Sequence, residues 1–182
     1  MKTEIEARLL DVDEELFIKK LKDNNADFVG DWLQVRNCYD FKPVRENSWI
    51  RLRREGDKTT LTIKEISTDK IDGTKESEIE VSDFDETNEI LNKLGFFARS
   101  VQENRRIRFV LDDFEIDIDS WPKIPTYVEF EAPSDKHIKD VCKKLDIDFD
   151  RLITFGVTEI YRHYGFDIKT MPKLVLEEDR KN

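Results

Sequence analysis

The sequence has little of what nucleophilic or histidine-centred chemistry requires. Its 182 residues include two cysteines and two histidines. Cys38 and Cys142 are far apart and form no CxxC pair, so we expect two reduced thiols packed in the fold. His137 and His163 lie in segments of helical periodicity, without a serine or cysteine nucleophile motif nearby, which argues against a catalytic triad or a histidine zinc site. Any chemistry therefore falls to carboxylate, lysine and arginine side chains.

Long apolar runs are also missing. No stretch approaches the ~20 apolar residues that a membrane span needs, and the opening MKTEIEARLL has no basic start followed by an apolar run. We therefore predict a cytoplasmic protein that does not contact a membrane. The formal net charge of −10 argues against a nucleic-acid partner, because phosphate contacts require excess basic charge. A small anionic ligand is compatible with the sequence if the basic residues are gathered in one place, and a homodimer is left open.

The chain contains enough bulky side chains for a packed core. It has 12 Phe, 4 Tyr and 3 Trp, and no segment rich in proline, glycine or serine divides it. We predict a single domain over residues 1–170, followed by a charged C-terminal tail over residues 171–182.

Eight segments have the β-rich composition or the period-two alternation of strands. They span residues 2–10, 28–41, 48–54, 58–65, 74–82, 96–111, 114–121 and 126–131. The segment 28–41 is long enough to carry a bulge. Helical spacing of apolar residues predicts four helices: one capped by Asp13, one from Asp83 or Asp85 to Leu94, one from Ser134 to Leu145, and one over Val157 to Tyr164. This set of elements predicts an α+β fold.

The alternating strands carry almost only ionised residues on their polar face. In SWIRLRR, for example, Arg51 and Arg53 alternate with Ile50 and Leu52. A sheet with one solvated face would explain any single strand, but such a face usually includes serine, threonine, asparagine and glutamine. A closed antiparallel barrel of about eight strands would instead enclose the charged faces and leave the helices outside. Because unpaired like charges destabilise a fold, this interior indicates a highly charged guest, most simply a polyphosphate with hard divalent cations.

An ordered set of charged motifs resembles the CYTH superfamily, also called triphosphate tunnel metalloenzymes. The motifs are Glu4, Glu6 and Arg8 in EIEAR, Arg51 and Arg53, Lys64, Glu78 and Glu80, Arg106 and Arg108, Asp119 in IDIDSW, and Glu129 with Glu131. Their order and spacing match from residue 2 to about residue 165. The family includes class IV adenylate cyclases, thiamine triphosphatases and inorganic triphosphatases. The resemblance implies a closed tunnel of eight antiparallel strands with helices packed outside, dependence on Mg²⁺ or Mn²⁺, and a small-molecule triphosphate substrate.

The resemblance also implies roles for individual residues. The carboxylates that look like metal ligands are Glu4, Glu6, Asp119, Glu129 and Glu131. Ligands that offer only oxygen suit Mg²⁺ or Mn²⁺. The residues that look like substrate-binding residues are Arg8, Arg51, Arg53, Lys64, Glu78, Glu80, Arg106 and Arg108. The six cations among them resemble a clamp, in which guanidinium groups hold phosphoryl oxygens in pairs. The catalytic residues implied are Glu4, Glu6, Arg8 and Arg106.

Two positions depart from the family pattern. Arg8 stands where the motif has lysine, and Asn104 stands where a basic residue usually precedes Arg106 by two positions. Arginine can hold a phosphate but does not readily release a proton, which argues against a role of Arg8 in activating water.

Three functions stay open. The first, favoured here, is a metal-dependent triphosphatase that acts on tripolyphosphate, thiamine triphosphate or a nucleoside triphosphate. The second is a class IV adenylate cyclase that converts ATP to cyclic AMP and pyrophosphate. The third is a polyphosphate- or nucleotide-binding module without turnover, for which Arg8 and Asn104 are the sequence support.

Overall fold

The computed structural model describes residues 1–67 and 73–176, apart from the side chains of residues 2–4 and 135. The strands in these ranges are β1 (Lys2–Glu4), β2 (Glu6–Leu9), β3 (Asp27–Tyr39), β4 (Ser48–Glu55), β5 (Lys58–Ile66), β6 (Thr74–Val81), β7 (Ala98–Leu111), β8 (Phe114–Ser120), β9 (Tyr127–Glu131) and β10 (Lys173–Leu174). The α-helices are α1 (Glu14–Asp23), α2 (Phe84–Lys93), α3 (Asp135–Lys144) and α4 (Val157–His163). Short 3₁₀ turns occur at Phe149–Arg151 and Ile168–Thr170.

The strands form one curled sheet. Its order is β1-β6-β5-β4-β3-β7-β8-β9-β2, with every neighbouring pair antiparallel, and β10 pairs in parallel with β7. The predicted α+β class and antiparallel sheet are confirmed, but the sheet is an open half-barrel rather than the predicted closed barrel of eight strands. The N-terminal chain divides at Ile5 into β1, which pairs with β6 over three residues, and β2, which pairs with β9 over four. Each margin of the sheet therefore carries only a short ladder.

The two faces of the sheet separate apolar from charged residues. In β8, Ile116 and Ile118 are fully buried in the largest apolar cluster, which also contains side chains of α1 and α3. The alternate residues Asp117 and Asp119 form ion pairs with the side chain of Arg106 on the other face. We call the helix-covered side the outer face and the charged side the inner face. Period-two alternation of the β8 sequence produces this division, as predicted.

Two smaller clusters complete the apolar core. One joins Phe84 and Leu91 of α2 to Tyr39, Ile50 and Leu52 of β3 and β4. The other joins α4 to the segment after β8 through aromatic side chains, among them Trp121, Tyr127 and Tyr161. The helices α1, α2 and α3 therefore cover the outer face, whereas α4 packs against Trp121 and Tyr127, which line the inner face.

Local sequence signals explain several element boundaries. The Asp13 side chain accepts a hydrogen bond from the Leu16 backbone N–H at 3.0 Å, which confirms the predicted cap of α1. The Asp83 side chain caps α2 in the same way, at 2.7 Å from Glu86 N. The expected bulge in β3 occurs between Phe28 and Gly30, where the register shifts. A Cβ at Gly30 would lie 2.0 Å from the Trp32 ring, so a larger residue there would require this ring to move.

The C-terminal segment is described as far as residue 176. Of the predicted tail 171–182, Lys173–Leu174 forms β10 and Leu174 is buried against the sheet. Residues 177–182 lie outside the described residues, and the domain division at residue 170 stays a prediction. Among residues 1–67 and 73–176, none of the helices has the length and hydropathy needed to cross a membrane.

Candidate functional site

A cavity of about 430 Å³ lies on the inner face of the curled sheet. Ten basic and seven acidic residues line it, so its lining has a positive excess although the whole chain has a formal net charge of −10. The basic residues are Arg8, Arg36, Arg51, Arg53, Lys58, Lys64, Arg99, Arg106, Arg108 and Lys169. The acidic residues are Glu6, Glu55, Glu76, Glu78, Glu115, Glu129 and Glu131. This cavity therefore concentrates charge of both signs in one place.

Arg8 on β2 is held between two carboxylates. Its guanidinium lies 2.8 Å from Glu6 Oε2 and 2.6 Å from Glu129 Oε2, and its NH1 donates to the Phe155 carbonyl at 3.2 Å. Burial alone would lower the pKa of Arg8, but the attraction of Glu129 and Glu6 raises it above its ordinary value. Arg8 is therefore a permanent cation in this site and cannot accept a proton.

Arg106 on β7 contacts three carboxylates. Its Nε and NH2 bind both oxygens of Asp119 at 2.8 and 2.5 Å, NH1 lies 2.5 Å from Asp117 Oδ2, and NH2 lies 3.2 Å from Glu129 Oε1. These pairs follow from the register, since Arg106 and Asp119 are direct partners on β7 and β8. Burial works against the charge of Arg106, but Asp117 and Asp119 hold its pKa well above the ordinary value.

Arg108 sits next along the inner face of β7. Its Nε and NH2 bind the two oxygens of Asp117 at 2.7 and 2.8 Å, and Glu115 Oε1 lies 2.9 Å from NH2. Asp117 therefore joins Arg106 to Arg108 and fixes the spacing of the two guanidinium groups.

The opposite wall of the cavity comes from β4, β5 and β6. Arg51 donates to Glu78 Oε2 at 3.2 Å, Arg53 lies 3.9 Å from the same oxygen, and Lys64 Nζ lies 3.4 Å from Glu76 Oε2. These pairs are looser than those of Arg106. Burial, together with repulsion from Arg51 and Arg106, lowers the pKa of Arg53 to about 9. This wall therefore has an excess of positive charge that its carboxylates balance incompletely.

Arg36 on β3 lies between the two walls. Its NH2 donates to the side-chain oxygens of Gln34 and Asn104, and its guanidinium carbon lies 4.5 Å from the centroid of the Trp121 ring. Burial and the nearby guanidinium groups of Arg51 and Arg106 lower the pKa of Arg36 to about 10. Its neighbours therefore orient the group without neutralising it.

Most of the residues predicted for the site line this cavity. They are Glu6, Arg8, Arg51, Arg53, Lys64, Glu78, Arg106, Arg108, Glu129 and Glu131. Asp119 is fully buried behind Arg106 and does not reach the cavity surface, and Glu80 is exposed on β6 outside it. Glu4 belongs to β1, and its side chain lies outside the described residues.

Sequence reasoning missed Arg36 and left Glu76 without a role. Gln34, Arg36 and Cys38 alternate with Val35, Asn37 and Tyr39 on β3, and this alternation could have placed Arg36 on the inner face. Glu76 shares its face with Glu78 and lines the cavity beside Lys64. The alternation around Arg36 was not recognised from the sequence because β3 contains a bulge, and a bulge changes which residues face inward.

The cavity contains donors of the right kind for a hard divalent cation. Glu6, Glu129 and Glu131 come from the paired strands β2 and β9, and Glu6 is the direct partner of Glu131. Carboxylate oxygens are the usual ligands of Mg²⁺ and Mn²⁺. Arg8 contacts Glu6 and Glu129, and no three acidic, histidine or cysteine side chains in the described part of the chain are grouped closely enough to hold a metal ion.

A sequence model of the CYTH domain matches residues 2–162, which is most of the chain. The chain belongs to the CYTH domain family. The triphosphate tunnel metalloenzymes of this family use divalent metals and act as triphosphatases or adenylate cyclases. No curated protein has a sequence that matches this one.

Solved structures of low sequence identity share the fold of this CYTH protein. A protein from Pyrococcus horikoshii OT3 superposes with a TM-score of 0.74 at 23% identity, covering 86% of this chain and 98% of its own. A candidate adenylate cyclase from Vibrio parahaemolyticus gives 0.73 at 13% identity, covering 88% and 98%. A candidate adenylyl cyclase from Hippeastrum, described as having a dominant triphosphatase activity, gives 0.63 at 14% identity, covering 94% and 100%.

Proposed function

We propose that this CYTH protein is a metal-dependent triphosphatase that hydrolyses the terminal phosphoanhydride of an inorganic or organic triphosphate. The observation that carries the proposal is the positive excess in the lining of a cavity within a chain of net charge −10. The cavity volume of about 430 Å³ falls within the ~300–1,000 Å³ that is usual for small-molecule sites. A compact, highly charged anion suits these two properties better than a larger neutral ligand does.

Basic residues from both walls of the cavity would bind the phosphate chain from opposite sides. Arg51, Arg53 and Lys64 come from β4 and β5, whereas Arg106 and Arg108 come from β7. Guanidinium groups bind phosphoryl oxygens in pairs and stabilise the charge that spreads over them during an in-line displacement. The rigid pairing of Arg106 and Arg108 through Asp117 would hold one such group in a set position.

The carboxylates Glu6, Glu129 and Glu131 would hold a divalent cation after moving closer together than they lie in this structure. When bound, Mg²⁺ or Mn²⁺ would neutralise phosphate charge and polarise the phosphorus centre. Because Arg8 contacts Glu6 and Glu129, it would have to turn away from at least one of them, and a phosphoryl oxygen would be its new partner. Glu4 is proposed as a further ligand on the basis of the sequence motif alone.

Hydrolysis rather than cyclisation is the reaction proposed, and Arg8 would bind phosphate in it rather than act as a base. The adjacent carboxylates raise the pKa of Arg8, so it cannot accept a proton from water or from a ribose hydroxyl. The described residues that line the cavity include no histidine. The dominant triphosphatase activity of the Hippeastrum protein supports the same choice by analogy of fold.

We also propose that the half-barrel closes into a tunnel around its ligand. The N-terminal chain already pairs with both margins of the sheet, through β1 on β6 and β2 on β9. A triphosphate that bound residues of β2, β4 and β5 together would strengthen these short ladders.

The test is turnover by the purified protein. Tripolyphosphate, thiamine triphosphate and ATP are each incubated with Mg²⁺ or Mn²⁺, and phosphate, pyrophosphate and cyclic AMP are measured. We expect metal-dependent release of phosphate from at least one substrate and no cyclic AMP. Cyclic AMP with pyrophosphate from ATP would identify a cyclase, and tight binding without any turnover would identify a binding module; either result rejects the proposal.

A further inference from the structure

Arg36 is a buried cation that forms no ion pair with a carboxylate of the described residues. It is 7% exposed and lines the cavity. Each of the six cations assigned to the clamp lies within 3.9 Å of a carboxylate oxygen, whereas Arg36 forms no such ion pair within residues 1–67 and 73–176. Its Nε is buried and donates no hydrogen bond within the same ranges. A buried charge is retained at a cost, so this arrangement indicates an anionic ligand.

The contacts of Arg36 set its orientation. Gln34 donates its amide N–H to Glu55, and Asn104 donates its amide N–H to Asp119 Oδ1 at 3.0 Å. Both amides are thereby turned so that their oxygens accept from NH2 of Arg36. The Trp121 ring covers one face of the guanidinium at 4.5 Å. The Arg36 guanidinium is therefore held through NH2 and covered on one face by Trp121. Its other N–H groups keep their capacity to donate to an anion.

The strand register increases the positive charge around Arg36. Arg36 on β3 is the direct partner of Arg53 on β4, and Cys38 is the partner of Arg51. Like charges directly opposite each other in an antiparallel pair are destabilising unless an anion lies between them. Arg36 and Arg53 therefore form one side of an anion site, with Arg106 nearby on β7.

We infer that Arg36 is a phosphate-binding residue, and that it supplies from β3 the positive charge that β7 lacks at Asn104. Asn104 is the residue at which this chain departs from the basic position of its family, and its side chain contacts Arg36 directly. Arg36 would donate to a terminal phosphoryl group of the bound triphosphate, together with Arg53. This inference rests on the proposed function and extends it to a residue outside the charged motifs of the family.

The test measures binding separately from turnover. Tripolyphosphate is titrated calorimetrically into wild-type protein, Arg36→Gln, Arg36→Lys and Arg53→Gln, with EDTA present so that hydrolysis does not occur. Because hydrogen bonds from a charged group to phosphate are lost, we expect Arg36→Gln to raise the dissociation constant for tripolyphosphate about 10- to 100-fold. Arg36→Lys, which keeps the charge, should stay closer to wild type than Arg36→Gln.

The control is Arg105→Gln, which removes the same charge from the neighbouring strand. Arg105 is 42% exposed and pairs with Asp31 and Glu14 outside the cavity. Its loss should leave tripolyphosphate affinity within about twofold of wild type. Thermal unfolding without ligand completes the experiment, because removal of an unpaired buried charge predicts that Arg36→Gln unfolds at or above the wild-type temperature.

The outcomes separate this inference from the proposed function. If Arg36→Gln binds tripolyphosphate as tightly as wild type while Arg53→Gln binds weakly, the role of Arg36 is rejected and the phosphate clamp stands. If Arg36→Gln unfolds well below wild type, Arg36→Lys restores the stability, and folded Arg36→Gln binds tripolyphosphate with the same affinity as wild type and Arg105→Gln, Arg36 is structural and the inference is rejected.

If wild-type protein does not bind tripolyphosphate at all, both the proposed function and the role of Arg36 are rejected. Weakened binding by a stably folded Arg36→Gln variant, with Arg105→Gln unchanged, is the result that supports the inference.

Discussion

Asp119 and Glu129 contact the same guanidinium, that of Arg106, from different sides. Asp119 is fully buried and accepts from Arg106 with both oxygens and from Asn104 with one. Glu129 lines the cavity and divides its oxygens between Arg106 and Arg8. A carboxylate enclosed by donors keeps a side chain in position, whereas one at the cavity surface can exchange a guanidinium for a metal ion. Asp119 therefore has the environment of a positioning residue.

Substitution of Asp119 tests this assignment against the metal role implied by the sequence motif. Asp119→Asn breaks the bidentate pair with Arg106, and we expect it to lower the free energy of unfolding by about 3 kcal/mol. Its Mn²⁺ affinity, measured by calorimetry, should stay within about threefold of wild type, because Asp119 does not reach the cavity.

The matched variant is Glu131→Gln at the cavity surface. It should lower Mn²⁺ affinity at least about tenfold and change stability less than Asp119→Asn does. Loss of Mn²⁺ binding in Asp119→Asn with unchanged stability would show instead that Asp119 is a metal ligand.

At the scale of elements, the alternation of the strands determined most of the site in advance. Arg51, Arg53 and Lys64 could be assigned to one face because period two leaves no other choice within a regular strand. The pairing of each cation could not be assigned, because it depends on registers between distant segments, such as Arg106 opposite Asp119. Arg36 was missed for a related reason, since its strand contains a bulge.

The closure of the sheet could not be predicted from alternation either. A strand pattern fixes which side chains share a face, but not whether two margins meet, which depends on a few residues at the ends of the sheet. Here those residues are Lys2–Glu4 of β1, which form a ladder with β6 at Thr74–Glu76. Short ladders at a sheet margin open more readily than long internal ones.

Hydrogen exchange of the margins tests the proposed closure. Tripolyphosphate should slow the exchange of amides in peptides that cover residues 1–9 and 74–81, because a ligand held by β2, β4 and β5 stabilises the β1–β6 ladder. Amides of α3, which packs in the apolar cluster on the outer face, serve as the control and should not change. Binding of tripolyphosphate with no slowing in residues 1–9 and 74–81 would contradict closure.

At the scale of the whole molecule, charge is divided between interior and exterior. The cavity lining has more basic than acidic residues, so the strongly negative net charge of the chain must reside on its remaining surface. Such a surface disfavours contact with nucleic acid, and this supports the proposal of a small-molecule partner. The same division makes the fold dependent on pH, because the inner cations rely on ionised carboxylates.

The acid sensitivity of the fold should depend on Glu129. Burial opposes its ionisation, but Arg8, Arg106 and Lys64 together hold the pKa of this carboxyl below its ordinary value of 4.5. A carboxyl whose folded pKa is depressed contributes stability above its unfolded pKa and loses that contribution as the pH falls below it. In urea unfolding at pH 7, Glu129→Gln should be less stable than wild type by about 3 kcal/mol, since Arg8 and Arg106 each lose a partner. That difference should shrink steadily as the pH is lowered from 4.5 to 3.

Glu89→Gln, which removes an exposed carboxylate paired with Lys93 on α2, is the control and should follow the wild-type pH dependence. A difference between Glu129→Gln and wild type that stayed constant from pH 7 to pH 3 would show that ionised Glu129 does not stabilise the folded state.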